Sequence, residues 1–159
     1  MKIVISGASG LIGTQLAKHL ASHGHEVVRL VRRTPKSGEV QWNPAAGSLD
    51  AAALEGSDAV IHLSGAGIGD KRWTNAYRKE IRDSRTQTTA LLANTIASLN
   101  QKPKVFLSGS AIGIYGARND EQLTEVSTHG TGFLADVCEQ WEAAAKPAVD
   151  AGVRTVFLR

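Results

Sequence analysis

Apolar positions along the chain switch between two rhythms. Lys2–Ser6 is a short run of β-branched apolar residues bounded by Gly7, the pattern of a buried strand. Ile12, Leu16 and Leu20 then recur at helical spacing, and Gly24 marks the stop. Glu26–Val31 predicts a second strand, closed by Arg32-Arg33-Thr34-Pro35, where the proline forbids continuation. Residues 35–57 are weakly patterned. Within them Glu39–Trp42 fits a short third strand and Asp50–Leu54 fits one or two helical turns. Ala59–Leu63 predicts a fourth strand that runs into a glycine-rich loop, Ser64-Gly65-Ala66-Gly67-Ile68-Gly69. Thr74 suits a helix N-cap, and Tyr77, Ile81, Thr88, Leu91, Leu92, Thr95, Ile96 and Leu99 give the long helix after it one apolar face. Val105–Leu107 is a fifth strand. Phe133, Leu134, Val137, Cys138, Trp141 and Ala145 mark another helix, which Pro147 kinks or divides, and Val153–Leu158 is a sixth strand.

Strands that alternate with helices predict a parallel sheet covered on both faces. The expected fold is therefore α/β, a doubly wound parallel sheet of strand order 3-2-1-4-5-6. At 159 residues the chain reads as one domain, 1–159. No helix follows the sixth strand, so the sequence is expected to be cut from something longer, with a C-terminal substrate segment missing.

Composition narrows the function. A net charge of +3, with scattered basic residues, argues against nucleic acid and membrane surfaces as partners. One cysteine, Cys138, allows no internal disulfide and fits a reducing compartment. No signal peptide or membrane span is read, so the expectation is a soluble cytoplasmic protein. His19, His23, His25 and His62 show no spacing of a zinc site, and no metal is expected. Ser108-Gly109-Ser110 lacks the nucleophile elbow of a hydrolase.

Chemistry enters at Gly7-Ala8-Ser9-Gly10-Leu11-Ile12-Gly13, a GxxGxxG directly after the first strand and opening the first helix. The first glycine permits the tight turn, the middle one lets the backbone approach a pyrophosphate, and the third lets helix pack on strand. The helix start then offers free N–H groups to the phosphates. A bare tight turn is the competing reading, but strand, glycines, amphipathic helix and second strand are the context that dinucleotide binding requires. This is a Rossmann-type arrangement. After the second strand an acid would bind a ribose 2′-hydroxyl, whereas an arginine accommodates a 2′-phosphate. Arg32 and Arg33 stand there with no acid, so NADP(H) is the expected cofactor rather than NAD.

These residues resemble the extended short-chain dehydrogenases of the sugar-nucleotide epimerase type, and more closely their atypical NAD-dependent epimerase/dehydratase branch. Besides Ser6–Gly13, the matching segments are Asp58–Ala66, Lys71–Thr74, Ser84-Arg85, Ser108–Gly116 and Cys138–Glu142. The resemblance implies that Leu63, Ser64, Gly65 and Ala66 run past the cofactor ribose and that Trp42 and Asn43 lie near adenine, unless Trp42 is core. It implies that Glu80 accepts from the adenine amino group, unless it is an exposed helix glutamate. Arg85 takes the place of an asparagine in ordinary members. It either reaches cofactor oxygens or is a helix-surface charge.

The departure from the family is at the catalytic pair. Ordinary members use Tyr-x-x-x-Lys, but aligning Trp141-Glu142 puts Leu134 at the tyrosine position and Cys138 at the lysine position. Leucine transfers no proton, and a buried thiol does not replace the lysine charge. The upstream serine has a counterpart in Ser110, with Ser108 as the alternative, and Tyr115-Gly116 matches a Tyr-Gly that lies beside substrate. Ser110 and Tyr115 are thus the catalytic candidates. Two functions remain open: an NADPH-dependent oxidoreductase or epimerase-like enzyme on a small substrate, and a non-catalytic NADPH-binding sensor or regulatory protein.

Overall fold

A computed structural model describes residues 1–159. Along the chain run β1 (Lys2–Ser6), α1 (Leu11–Ser22), β2 (Glu26–Val31), β3 (Glu39–Asn43), β4 (Ser48–Leu49) and β5 (Ala59–His62). There follow α2 (Asn75–Ser98), β6 (Val105–Gly109), α3 (Phe133–Ala143), α4 (Lys146–Asp150) and β7 (Arg154–Leu158). The sheet order is β4-β3-β2-β1-β5-β6-β7, parallel except for β3 against β4. The predicted order of six strands is present, with one strand more than expected. Asn43 caps the 3-10 turn Pro44–Ala46, left-handed Gly47 (φ 63°) reverses the chain, and β4 returns antiparallel to β3. Two residues are too few to carry a periodicity, which is why the strand is invisible in sequence.

The period-two alternation of β1 divides the core. Val4 faces one side of the sheet with Val60, Phe106 and the α2 residues Leu92, Ala93 and Ile96. Ile3 and Ile5 face the other side with Ile61 and with Ala17 of α1. Each fully buried side chain of this size stabilises the fold by roughly 1.5–3 kcal/mol. Helix α2 starts as its sequence predicts: the Thr74 hydroxyl accepts from the Tyr77 amide at 3.2 Å. Pro147 divides rather than kinks, falling in the first turn of α4. Asp50–Leu54 forms a single 3-10 turn, Ala51–Ala53, capped by the Asp50 carboxylate. No helix is long and apolar enough to cross a membrane.

Candidate functional site

Chain leaving β1 crosses toward β2, and chain leaving β5 crosses toward β6, so a crevice opens between their carboxyl ends at the point where strand order reverses. The GxxGxxG turn forms its floor. Gly7 is left-handed (φ 73°), and a β-carbon there would lie 2.6 Å from the Leu63 carbonyl, so the turn presses against the exit of β5. A β-carbon on Gly13 would sit 2.2 Å from the Gly7 oxygen. Both positions therefore exclude every other residue. Helix α1 starts with no side-chain cap and no acid in its first turn. Its first amides have no intrahelical partner. Leu11 is 89% and Ile12 68% exposed beside them. This donor set fits a pyrophosphate.

The crevice continues as a groove of about 1070 Å³, lined in its middle by Gly7, Ala8 and Ser9 after β1, on the β5 side by Ser64–Gly67, and on the β2 side by Arg32 and Arg33. The wall is held by α2. Ser84 Oγ accepts from the Ala66 amide at 3.0 Å, and Arg85 Nη1 donates to the Ala66 carbonyl at 2.9 Å and to the Ile81 carbonyl at 3.0 Å. The Arg85 guanidinium lies 5.1 Å from the centre of the Trp141 ring and closes against Gly65. Burial lowers its pKa without removing its charge. Arg85 is thus a clamp on the loop, which neither of its sequence readings foresaw. Tyr77 donates from its hydroxyl to the Gly67 carbonyl, and Trp73 Nε1 donates to the Ile68 carbonyl at 2.7 Å.

Elsewhere the groove separates the candidates. Glu80 lines it while paired to Lys71 at 3.3 Å. Trp42 is 3% exposed and packs in the core, and with Asn43 it also lines the groove. Arg32 lies exposed in the lining with no side-chain partner. Arg33 is different. It is locked in an ion pair with Glu39, so the strand-two terminus does have an acid beside it, supplied by β3. The sequence expectation of two arginines with no acid beside them is corrected: only Arg32 stands without one.

Beneath the crevice, His62 is fully buried and joins β1 to α2. Its Nδ1 lies 2.5 Å from Ser6 Oγ and its Nε2 3.1 Å from Thr88 Oγ1. Thr88 spends its own proton on the Ser84 carbonyl at 2.7 Å, so it accepts from Nε2–H, and Nδ1 accepts from Ser6. Burial pushes the His62 pKa down from 6.5 to about 3. In the unfolded chain it takes a proton near pH 6.5; in the fold it does not until about pH 3. This contribution to stability is complete above pH 6.5 and is lost as pH falls, by about 1.4 kcal/mol per unit. Lowering the pH from 6.5 to 5 should therefore cost about 2 kcal/mol in denaturant melts, and His62→Gln should remove most of that slope. Equal wild-type stability at the two pH values would contradict it.

Ser110 and Tyr115 do not line the groove. They lie past the end of β6, in a network that the sequence reading missed. Ser110 Oγ donates to Glu142 Oε1 at 2.6 Å. Arg159 donates from Nε to the same oxygen at 2.9 Å and from Nη2 to Oε2 at 2.8 Å. Arg159 Nη1 donates to the Tyr115 hydroxyl at 2.8 Å. Burial raises the Glu142 pKa, but hydrogen bonds from Arg159 and Ser110 more than reverse this and hold it below the usual carboxylate range. The same pairing holds the Arg159 proton more tightly. Tyr115 accepts from Arg159 and donates to no protein group, so its proton is uncommitted, whereas that of Ser110 is directed at Glu142. Ser108 is fully buried with its hydroxyl on the Gly109 carbonyl, which leaves Ser110 as the serine that meets other groups. Leu134 and Cys138 face the turn 112–115, and burial pushes the Cys138 thiol up. The signal for Glu142 was its place in the matched Cys138–Glu142 segment. Arg159 gave none, because 44 residues separate it from Tyr115.

The NAD dependent epimerase/dehydratase family profile matches residues 3–135. An epimerase family protein of Mycobacterium leprae is 40% identical over 158 residues, 99% of this chain and 51% of its own. A nucleoside-diphosphate sugar epimerase from Corynebacterium glutamicum superposes with a TM-score of 0.87 at 41% identity, covering all of this chain and 33% of that one. The human epimerase family protein SDR39U1, solved with NADPH, superposes with a TM-score of 0.86 at 31% identity, covering all of this chain and 53% of that one. The chain spans about half the length of the curated relatives it matches. With the profile over most of its length and its glycine turn, crevice and sheet order in agreement, the chain belongs to the NAD dependent epimerase/dehydratase family.

Proposed function

We propose that the chain is the NADPH-binding domain of an oxidoreductase or epimerase-like enzyme acting on a small-molecule substrate. The observation that carries this is the continuous groove that joins the glycine turn at Gly7–Ser9, just before the uncapped start of α1, to the exposed Arg32. Amides of Leu11, Ile12 and Gly13 hold the pyrophosphate, with Gly7, Ala8, Ser9 and Gly10 shaping the turn. Arg32 meets the 2′-phosphate, and Arg33 stands behind it. Leu63, Ser64, Gly65 and Ala66 follow the ribose, and Glu80 reaches the adenine end. Arg85 positions that wall rather than touching the cofactor. The NADPH relative supports the choice of cofactor. In this reading residues 1–159 are the cofactor domain, and a further segment completes the substrate pocket.

When bound, the nicotinamide supplies hydride chemistry. Tyr115 gives up the uncommitted proton to the developing substrate alkoxide, and Arg159 against its oxygen balances the phenolate left behind. Glu142 fixes Arg159 and, through Ser110, the end of β6. The second reading, a non-catalytic sensor, is favoured by Leu134 and Cys138 in the place of the usual tyrosine and lysine. A panel of small carbonyl compounds, followed by NADPH absorbance, separates the two. Turnover with at least one compound is expected. Binding of NADPH without its oxidation by any of them favours the sensor.

A further inference from the structure

Glu39, the first residue of β3, supplies an acid at the ribose end of the groove. Arg33 Nη1 donates to Glu39 Oε2 at 2.7 Å, and Nη2 donates to Oε1 at 2.6 Å. The same Oε2 accepts the Lys36 amide at 2.8 Å, and Nη1 also donates to the Thr34 carbonyl at 2.8 Å. The Glu39 side chain is 10% exposed, while that of Arg33 is 54% exposed. The carboxylate is thus the fixed inner member and the guanidinium the outer one. Both line the groove with Arg32.

A guanidinium meets a carboxylate or a phosphate through the same planar fork. At Arg33 the Nη1/Nη2 edge of that fork is already occupied. The pair is neutral as a whole, and a phosphate brought to it faces a fixed negative charge. Arg32, one residue earlier, carries no such partner. Resting on the cofactor reading above, we propose that Glu39 sets the discrimination between adenosine 2′-phosphate and a bare ribose by withholding Arg33 from the phosphate. Preference for the 2′-phosphate then comes from Arg32 and is smaller than two unpaired arginines would give. A neutral residue at position 39 releases Arg33 and steepens the preference.

Calorimetric titration with 2′,5′-ADP and 5′-AMP tests this without any turnover. Glu39→Gln keeps the shape and an acceptor for the Lys36 amide while removing the charge. It should tighten 2′,5′-ADP about tenfold and leave 5′-AMP within about twofold. Glu39→Ala should move 2′,5′-ADP in the same direction, and adding Arg33→Ala to Glu39→Gln should abolish the gain. Unchanged or weaker 2′,5′-ADP binding in Glu39→Gln overturns the proposal and makes Glu39 a scaffold that presents Arg33. Wild-type protein that binds neither probe overturns the cofactor reading, and the inference falls with it. A wild type that binds 2′,5′-ADP with no response at position 39 leaves the cofactor reading standing and sinks the inference alone.

Discussion

Gly13→Ala should be among the most damaging single-methyl changes in this chain. The added carbon would lie 2.2 Å from the Gly7 oxygen, 2.8 Å from Ala8 Cα and 2.9 Å from the Gly7 carbonyl carbon. All three are backbone atoms of the turn, so no side chain can swing away. Helix α1 must withdraw from β1, opening the packing of Ala17 on Ile3 and Ile5. Overpacking of this kind costs about 3 kcal/mol, which for a chain of this size lowers the melting temperature by about 10 °C. Withdrawal also carries the helix amides off the crevice, so NADPH affinity should fall at least ~100-fold, more than one lost charge-assisted hydrogen bond explains. Gly10→Ala is the matched control. Its nearest contact would be the Gly7 oxygen at 3.3 Å, and it should cost about 1 kcal/mol or less. Thermal melts of the three proteins check the order. A Gly13→Ala variant as stable as wild type would mean that helix and strand are not packed as described.

Tyr115→Phe should slow turnover by about 100-fold or more, the usual consequence of losing a general acid. The ring stays in its buried place, and only the hydroxyl that meets Arg159 is removed, so stability should change by about 1 kcal/mol. Ser110→Ala should also slow turnover, by removing one of the two donors on Glu142 Oε1 and leaving Arg159 Nε there alone. NADPH affinity should survive both changes, because neither residue lines the groove. Arg159→Met should do more harm, leaving the mostly buried Glu142 carboxylate without its cation at a cost of about 3 kcal/mol in stability as well as loss of rate. Cys138→Ser should change the rate little. Steady-state rates beside denaturant melts separate the roles. Tyr115→Phe that turns over like wild type would make Tyr115 a structural support, and loss of activity in Cys138→Ser would transfer the chemistry to the thiol.

The two rhythms of the sequence carried the elements and the glycine turn because both are local, and the sheet order followed from the doubly wound pattern they make. Hydrophobic period gives strand and helix, and Gly7–Gly13 gives the connection. What stayed hidden depends on residues that meet only after folding. No acid is read beside Arg33 because its partner lies six residues away, on the next strand. Arg85 read as a ligand contact or a surface charge because the loop it clamps leaves a different strand. Tyr115 and Ser110 are marked by their family segment, but the ion pair joining them forms only when Arg159, past the end of β7, reaches Glu142 of α3. Strand β4 is too brief to show, and His62 is legible as a residue of the fourth strand but not as the link between Ser6 and Thr88.

The central claim is that this groove binds NADPH through its glycine turn and Arg32, and calorimetric titration of one protein sample with NADPH and with NADH tests it most directly. A charge-assisted contact to the 2′-phosphate is worth about 1.5–3 kcal/mol, or roughly ten- to hundredfold in affinity. With Arg32 alone fully available, the account predicts NADPH the tighter ligand by about tenfold, and Arg32→Ala bringing the two affinities together. Equal affinities in the wild type, or a preference that persists undiminished in Arg32→Ala, would contradict it.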